Sequence, residues 1–121
     1  MNKQKLLIGE IPYANLFPIF YMLKRGSDLS GYEFIEGPPA ELNKKIREGL
    51  IDVSPSSSIE YLRHREKYEL IENHSISSRG PVGSILLFSK KPIEELGGLT
   101  VLTSSQSETS VALVQIVLKK F

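Results

Sequence analysis

Apolar and polar positions along this chain switch repeatedly between a strand period and a helix period. Leu6–Ile8 is a short apolar run closed by Gly9, the pattern of a buried first strand. Over Ala14–Arg25 the residues Leu16, Phe17, Ile19, Phe20 and Leu23 take helical spacing, with Pro18 tolerable in a first turn and Gly26 as a stop. Tyr32–Ile35 predicts a second strand. Pro38 and Pro39 open a helix over Ala40–Arg47, with Leu42 and Ile46 on one face and Gly49 as its breaker. Ile51–Val53 predicts a third strand, and the hydroxyls of Ser56–Ser58 predict the cap of a helix running to about Glu66. Tyr68–Ile71 and Val82–Phe88 predict a fourth and a fifth strand, Lys90–Pro92 a connector, and Val101–Leu102 the start of another strand. A last helix over Ser107–Lys120 carries Val111, Val114 and Leu118 on one apolar face.

Strands alternating with helices predict an α/β domain with a mostly parallel sheet. With 121 residues the chain holds one modest domain and not two complete ones. The last strand–helix pair has no complete sheet to join. The pattern therefore divides into a first lobe at 1–92 and, at 93–121, what looks like the opening of a second lobe. An orphaned pair exposing Val111, Val114 and Leu118 would favour self-association. The net charge of +1 gives no general affinity for nucleic acid or an anionic membrane. The absence of cysteine excludes disulfides, thiolate metal sites and a cysteine nucleophile. Gly9, Glu10, Pro12 and Asn15 interrupt the apolar N-terminal stretch, so it does not read as a secretory signal, and no run approaches the roughly 20 apolar residues of a membrane span. A cytoplasmic location is the expectation.

Open α/β sheets bind ligands where strands hand over to helices, and the candidate residues fall at such places. Asn15 follows the first strand. It is either a turn or cap residue, or an amide that orients a substrate hydroxyl or carboxylate. Ser56, Ser57 and Ser58 exceed what one cap requires and suit a carboxylate, although at least one of them is a plain cap. Gly83 and Ser84 interrupt the run Val82–Phe88. There a glycine permits close approach and the serine would offer a hydroxyl, the bland reading being a solvent-facing serine at a strand start. Thr103, Ser104, Ser105, Ser107 and Thr109 cluster before the last helix as a second anion-binding start, or as an ordinary polar loop. His64 and His74 lack metal-ligand spacing, and Glu60, Glu66 and Glu72 read as surface. No phosphate loop, dinucleotide fingerprint or zinc signature is present, so no metal or nucleotide cofactor is implied.

Four segments carry a resemblance: IGEIPYANLFPIF at Ile8–Phe20, EGPPAELNKKIREGLIDVSPSSSIEYLRH at Glu36–His64, SISSRGPVGSILLFSKKPIEEL at Ser75–Leu96, and LTSSQSETSVALVQIVL at Leu102–Leu118. Together they resemble the chorismate dehydratases of the futalosine route to menaquinone. The resemblance implies a two-lobed, cofactor-free enzyme of the periplasmic-binding-protein type 2-like fold that binds chorismate between its lobes. It implies loss of water to give 3-[(1-carboxyvinyl)oxy]benzoate. Family members are roughly twice this length, each lobe being a domain of about 100–150 residues. The resemblance places Asn15 and Ser84 at the catalytic centre, with Ser56, Ser57, Ser58, Gly83, Thr103, Ser104, Ser107 and Thr109 around the substrate. Two other classes fit the residues. One is a non-catalytic carboxylate-binding protein of the same fold. The other is the related dihydroxynaphthoate synthase, whose N-terminal pattern does not match IPYANLFP well.

Overall fold

The computed structural model describes residues 5–26 and 28–121. Strands β1 (Leu6–Glu10) and β2 (Tyr32–Glu36) pair in parallel, from Leu6 opposite Tyr32 to Glu10 opposite Glu36. Parallel pairing needs a crossover, and helix α1 (Phe17–Gly26) supplies it. Pro18 sits in its first turn as predicted, while Ala14–Leu16, expected to be helical, form a turn instead. Helix α2 (Pro39–Arg47) starts at Pro39, behind an extended Pro38, and stops before Gly49, whose φ of 72° is open to a residue without a Cβ.

The predicted third strand is reduced to one parallel bridge, Ile8 to Val53, on the other edge of β1. Its bonds are well formed. Asp52 N donates to Leu7 O at 2.8 Å and Gly9 N to Val53 O at 2.7 Å, while Leu7 N donates to the Asp52 carboxylate at 2.7 Å. A Cβ on Gly9 would lie 2.5 Å from Ser54 Oγ and 3.1 Å from Ile51 Cδ1, so this strand crosses its neighbour too closely for any side chain. The core gathers beside it: Ile8, Ile11, Leu16, Phe20, Leu42 and Ile51 are buried, and Leu23, Phe34, Ile46 and Val53 pack against them. Each fully buried aliphatic side chain contributes about 1.5–3 kcal/mol.

Helix α3 (Ser58–Arg63) is followed by a 3₁₀ turn at Arg65–Lys67, and helix α4 (Glu108–Leu118) packs against α3. The predicted face Val111, Val114 and Leu118 is half-buried, whereas Leu113 and Ile116 are exposed. Glu60, read from the sequence as a surface residue, is fully buried. Its Oε1 accepts from Tyr68 OH at 2.7 Å, and its Oε2 lies 3.5 Å from the Arg47 guanidinium and makes no hydrogen bond among the described residues. His64 Nε2 is 4.0 Å from the same carboxylate. The expected surface position fails because Arg47, on the facing side of α2, and Tyr68 supply partners that let the carboxylate leave water.

Three predicted strands do not form. Tyr68–Ile71, Val82–Phe88 and Val101–Leu102 run irregularly, and Phe88 and Leu102 are 87% and 93% exposed. Their apolar patterns specify a buried strand, but among the described residues no neighbouring strand offers the ladder that would satisfy their backbone. Gly83 was expected to admit a close neighbour. Among the described residues nothing lies within 4 Å of where a Cβ would stand, and its φ of 76° shows that the bend there requires a glycine. No helix among the described residues is long and apolar enough to cross a membrane.

Two predictions follow from these contacts. Gly9→Ala should lower stability by about 1–3 kcal/mol in urea unfolding, the usual cost of an overpacked contact, and Ser54→Gly in the same chain should restore much of it. The second concerns Tyr68, whose phenol is pushed up to about 12 by burial, by its bond to Glu60 and by that carboxylate's charge. A raised folded value makes its stabilisation complete below the unfolded value of about 10 and lost as pH climbs through the folded one. Stability measured across that alkaline window should fall more steeply in the parent protein than in Tyr68→Phe.

Candidate functional site

The C-terminal ends of β1, β2 and the Asp52–Val53 segment open toward the turn at Ala14–Leu16, Gly37–Pro38 and Ser54–Ser57 respectively. The Asn15 side chain is exposed in that turn and makes no hydrogen bond among the described residues, so it does not act as a cap there. The end of β1 is closed by Lys24, which donates to both Glu10 carboxylate oxygens at 2.8 and 2.6 Å and lies 4.7 Å from the centre of the Phe34 ring.

Ser57 occupies the N-cap position of α3 in extended conformation, yet its hydroxyl caps nothing. The fully buried amide of Asn43, on α2, clamps it instead: Asn43 Nδ2 donates to Ser57 Oγ at 2.9 Å, and Ser57 N donates to Asn43 Oδ1 at 3.4 Å. Ser56 and Ser58 on either side are exposed. Ile59 N, two residues beyond Ser57, donates to Thr109 Oγ1 at 3.3 Å. That bond joins the serine cluster of α3 to the hydroxyl cluster at the start of α4, two groups widely separated in sequence.

Beside the junction runs an open groove of about 280 Å³ lined by Arg63, Thr103, Ser104, Ser105, Ser107 and Glu108, among others. Within the cluster the hydroxyls differ in what they have left to give. Ser107 Oγ donates to Ser110 Oγ at 2.7 Å, and Ser104 Oγ accepts from Gln106 N at 3.1 Å, the local bonding of an ordinary cap and turn region. Ser57 and Thr109 accept through their oxygens and keep their hydroxyl protons unassigned among the described residues. Arg63 adds the positive charge that an anion would need, while Glu108 in the first turn of α4 complements the helix dipole. Ser84 is exposed on the irregular segment, and no hydrogen bond among the described residues ties it or Asn15 to the cluster.

The structure thus bonds Thr109 to the backbone of α3 two residues beyond Ser57 and sets Thr103, Ser104 and Ser107 along one groove. Two contributors escaped the sequence reading. Arg63 carries no sequence signal beyond its place in the α3 helix. Asn43 gave a readable signal: a polar residue between Leu42 and Ile46, on the side of α2 that faces the core, must find a buried partner.

The sequence comparisons agree with the resemblance noted above. A family model described as menaquinone biosynthesis matches residues 6–121. A chorismate dehydratase of Thermus thermophilus is 33% identical over 114 residues, which make up 94% of this chain and 40% of that protein. The chain therefore spans about two-fifths of the length of this curated relative. A match running from β1 through α4 carries the Asn15 turn, the Asn43–Ser57 clamp and the α4 hydroxyls together, and on that extent the chain belongs to the menaquinone biosynthesis family.

Proposed function

We propose that this chain serves a lyase that dehydrates chorismate to 3-[(1-carboxyvinyl)oxy]benzoate in the futalosine route to menaquinone. The observation that carries the reading is the dehydratase relative, aligned over 94% of the chain. In this reading residues 1–92 form most of one lobe of a periplasmic-binding-protein type 2-like fold. Residues 93–121 begin the other, and chorismate lies between them.

The chemistry suits the groups available. Dehydration takes a proton from one ring carbon and expels hydroxide from its neighbour, and formation of the aromatic ring supplies much of the driving force. Hydroxyl and amide groups that orient the substrate then suffice where a strongly basic side chain would otherwise be needed. Chorismate carries two carboxylates. In this reading Ser57 and Thr109 donate their hydroxyl protons to one of these, and Arg63, which lines the groove, supplies positive charge. Ser56, Ser58, Thr103, Ser104 and Ser107 line the approach, and Gly83 lets the chain turn to present Ser84. Asn15 and Ser84 orient the reacting centre, and a carboxylate of the substrate itself accepts the proton. Closing the site around the ligand excludes water and fixes the reactive conformer.

Incubation of the protein with chorismate, followed by chromatography, should yield the aromatic enolpyruvyl ether above the uncatalysed background. Bound chorismate with no product would favour the non-catalytic binding protein. Asn15→Ala should lower turnover by about 100-fold, as loss of one preorganised hydrogen-bond donor does, and change chorismate affinity far less. Unchanged turnover in that variant would remove Asn15 from the catalytic centre.

A further inference from the structure

We infer that Asn43, which touches no substrate in the reading above and on which this inference rests, is a positioning residue that sets the polarity of the Ser57 hydroxyl. A serine at an N-cap normally turns its oxygen toward the N–H groups of the helix it begins. Ser57 has the cap's extended backbone, with φ of −70° and ψ of 145°, but makes no such bond. Its oxygen is engaged from behind by Asn43 Nδ2 at 2.9 Å, and its own N–H by Asn43 Oδ1 at 3.4 Å.

The Asn43 side chain is fully buried, so both bonds are made away from competing water, and a buried amide left without partners is costly. A single amide therefore fixes the serine at two atoms. Because the amide nitrogen can only donate, Ser57 Oγ must accept at that contact. The hydroxyl proton is thereby directed elsewhere. A hydroxyl held in this sense is a donor to an anion, and a carboxylate is the ligand it suits. A carbonyl at position 43 would do the reverse and consume the proton.

The same turn is held a second time. Ile59 N is taken by Thr109 Oγ1 at 3.3 Å, so that it no longer competes for the Ser57 oxygen. Asn43 also stands four residues before Arg47 on α2, and Arg47 meets Glu60 of α3 at 3.5 Å. Helix α3 is thus held from α2 at two points, its N-cap residue Ser57 and its third residue Glu60.

The test is a double-mutant cycle with Asn43→Ala, Ser57→Ala and the pair, read as chorismate affinity by calorimetry, with thermal melting recorded alongside. The expected result is a loss of affinity of about tenfold for either single variant, the scale of one hydrogen bond to a charged group, and no further loss in the pair. KM should rise with little change in kcat. Additive losses, or Asn43→Ala that melts earlier but binds chorismate as the parent does, would overturn the positioning role. Should Asn43→Ala not fold, Asn43→Ser, which keeps a small polar group in the same space, is read in its place. Failure of the unaltered protein to bind chorismate would sink the reading of the function itself, and this inference with it. Parent binding with an indifferent Asn43 variant sinks the inference alone.

Discussion

The backbone of β1 is engaged on both edges, and the buried core gathers beside it. Leu7 and Gly9 give and receive bonds with Asp52 and Val53 on one side, while β2 runs in parallel register on the other. With its neighbours fixed in this way, the chain leaves β1, β2 and Val53 at the same end of the sheet. Gly9 makes the arrangement possible, because Ser54 packs where a side chain would stand. The position of the Ser54–Ser57 segment relative to the Asn15 turn is thus set at the start of that segment, by the contact of Ser54 with Gly9 and the backbone bonds of Asp52 and Val53.

How much of this could be read from the sequence depended on the range of the cause. Pro38–Pro39, Gly49 and the helical spacing of α1 and α2 act over a turn or two, and those elements form within a few residues of the predicted bounds. The runs at Tyr68–Ile71, Val82–Phe88 and Val101–Leu102 carry an apolar pattern just as clear, but pattern reports a tendency to be buried and says nothing of what lies alongside. A strand exists only with a partner. Gly83 shows the same limit on a smaller scale: an interruption of an apolar run is compatible with close approach and with a turn, and its positive φ decides for the turn.

The candidate site divides along the same line. Its residue types were legible, since hydroxyls beyond the needs of capping stand out at Ser56–Ser58 and before α4. Their connections were not. The bond from Ile59 to Thr109 and the clamp of Asn43 on Ser57 join residues far apart in sequence. Glu60 meets the same limit: a carboxylate on a short helix reads as solvated, and Arg47 and Tyr68, distant or beyond the helix in sequence, make its burial tolerable.

Asn43 and Arg47 lie one helical turn apart on α2 and both reach α3, one at its first residues and one at Glu60. A six-residue helix has little stability of its own, and an apolar seam between α2 and α3 would hold it as firmly. Such a seam would not hold it in register, because dispersion contacts tolerate small sliding and rotation whereas hydrogen bonds and ion pairs weaken steeply with angle and distance. Buried polar pairs are a weak source of stability and a better source of a single defined arrangement. For a site whose working parts are hydroxyl protons, orientation is the quantity that must be conserved through thermal motion. Placing an amide and a guanidinium on one face of α2 supplies it where leucines could not.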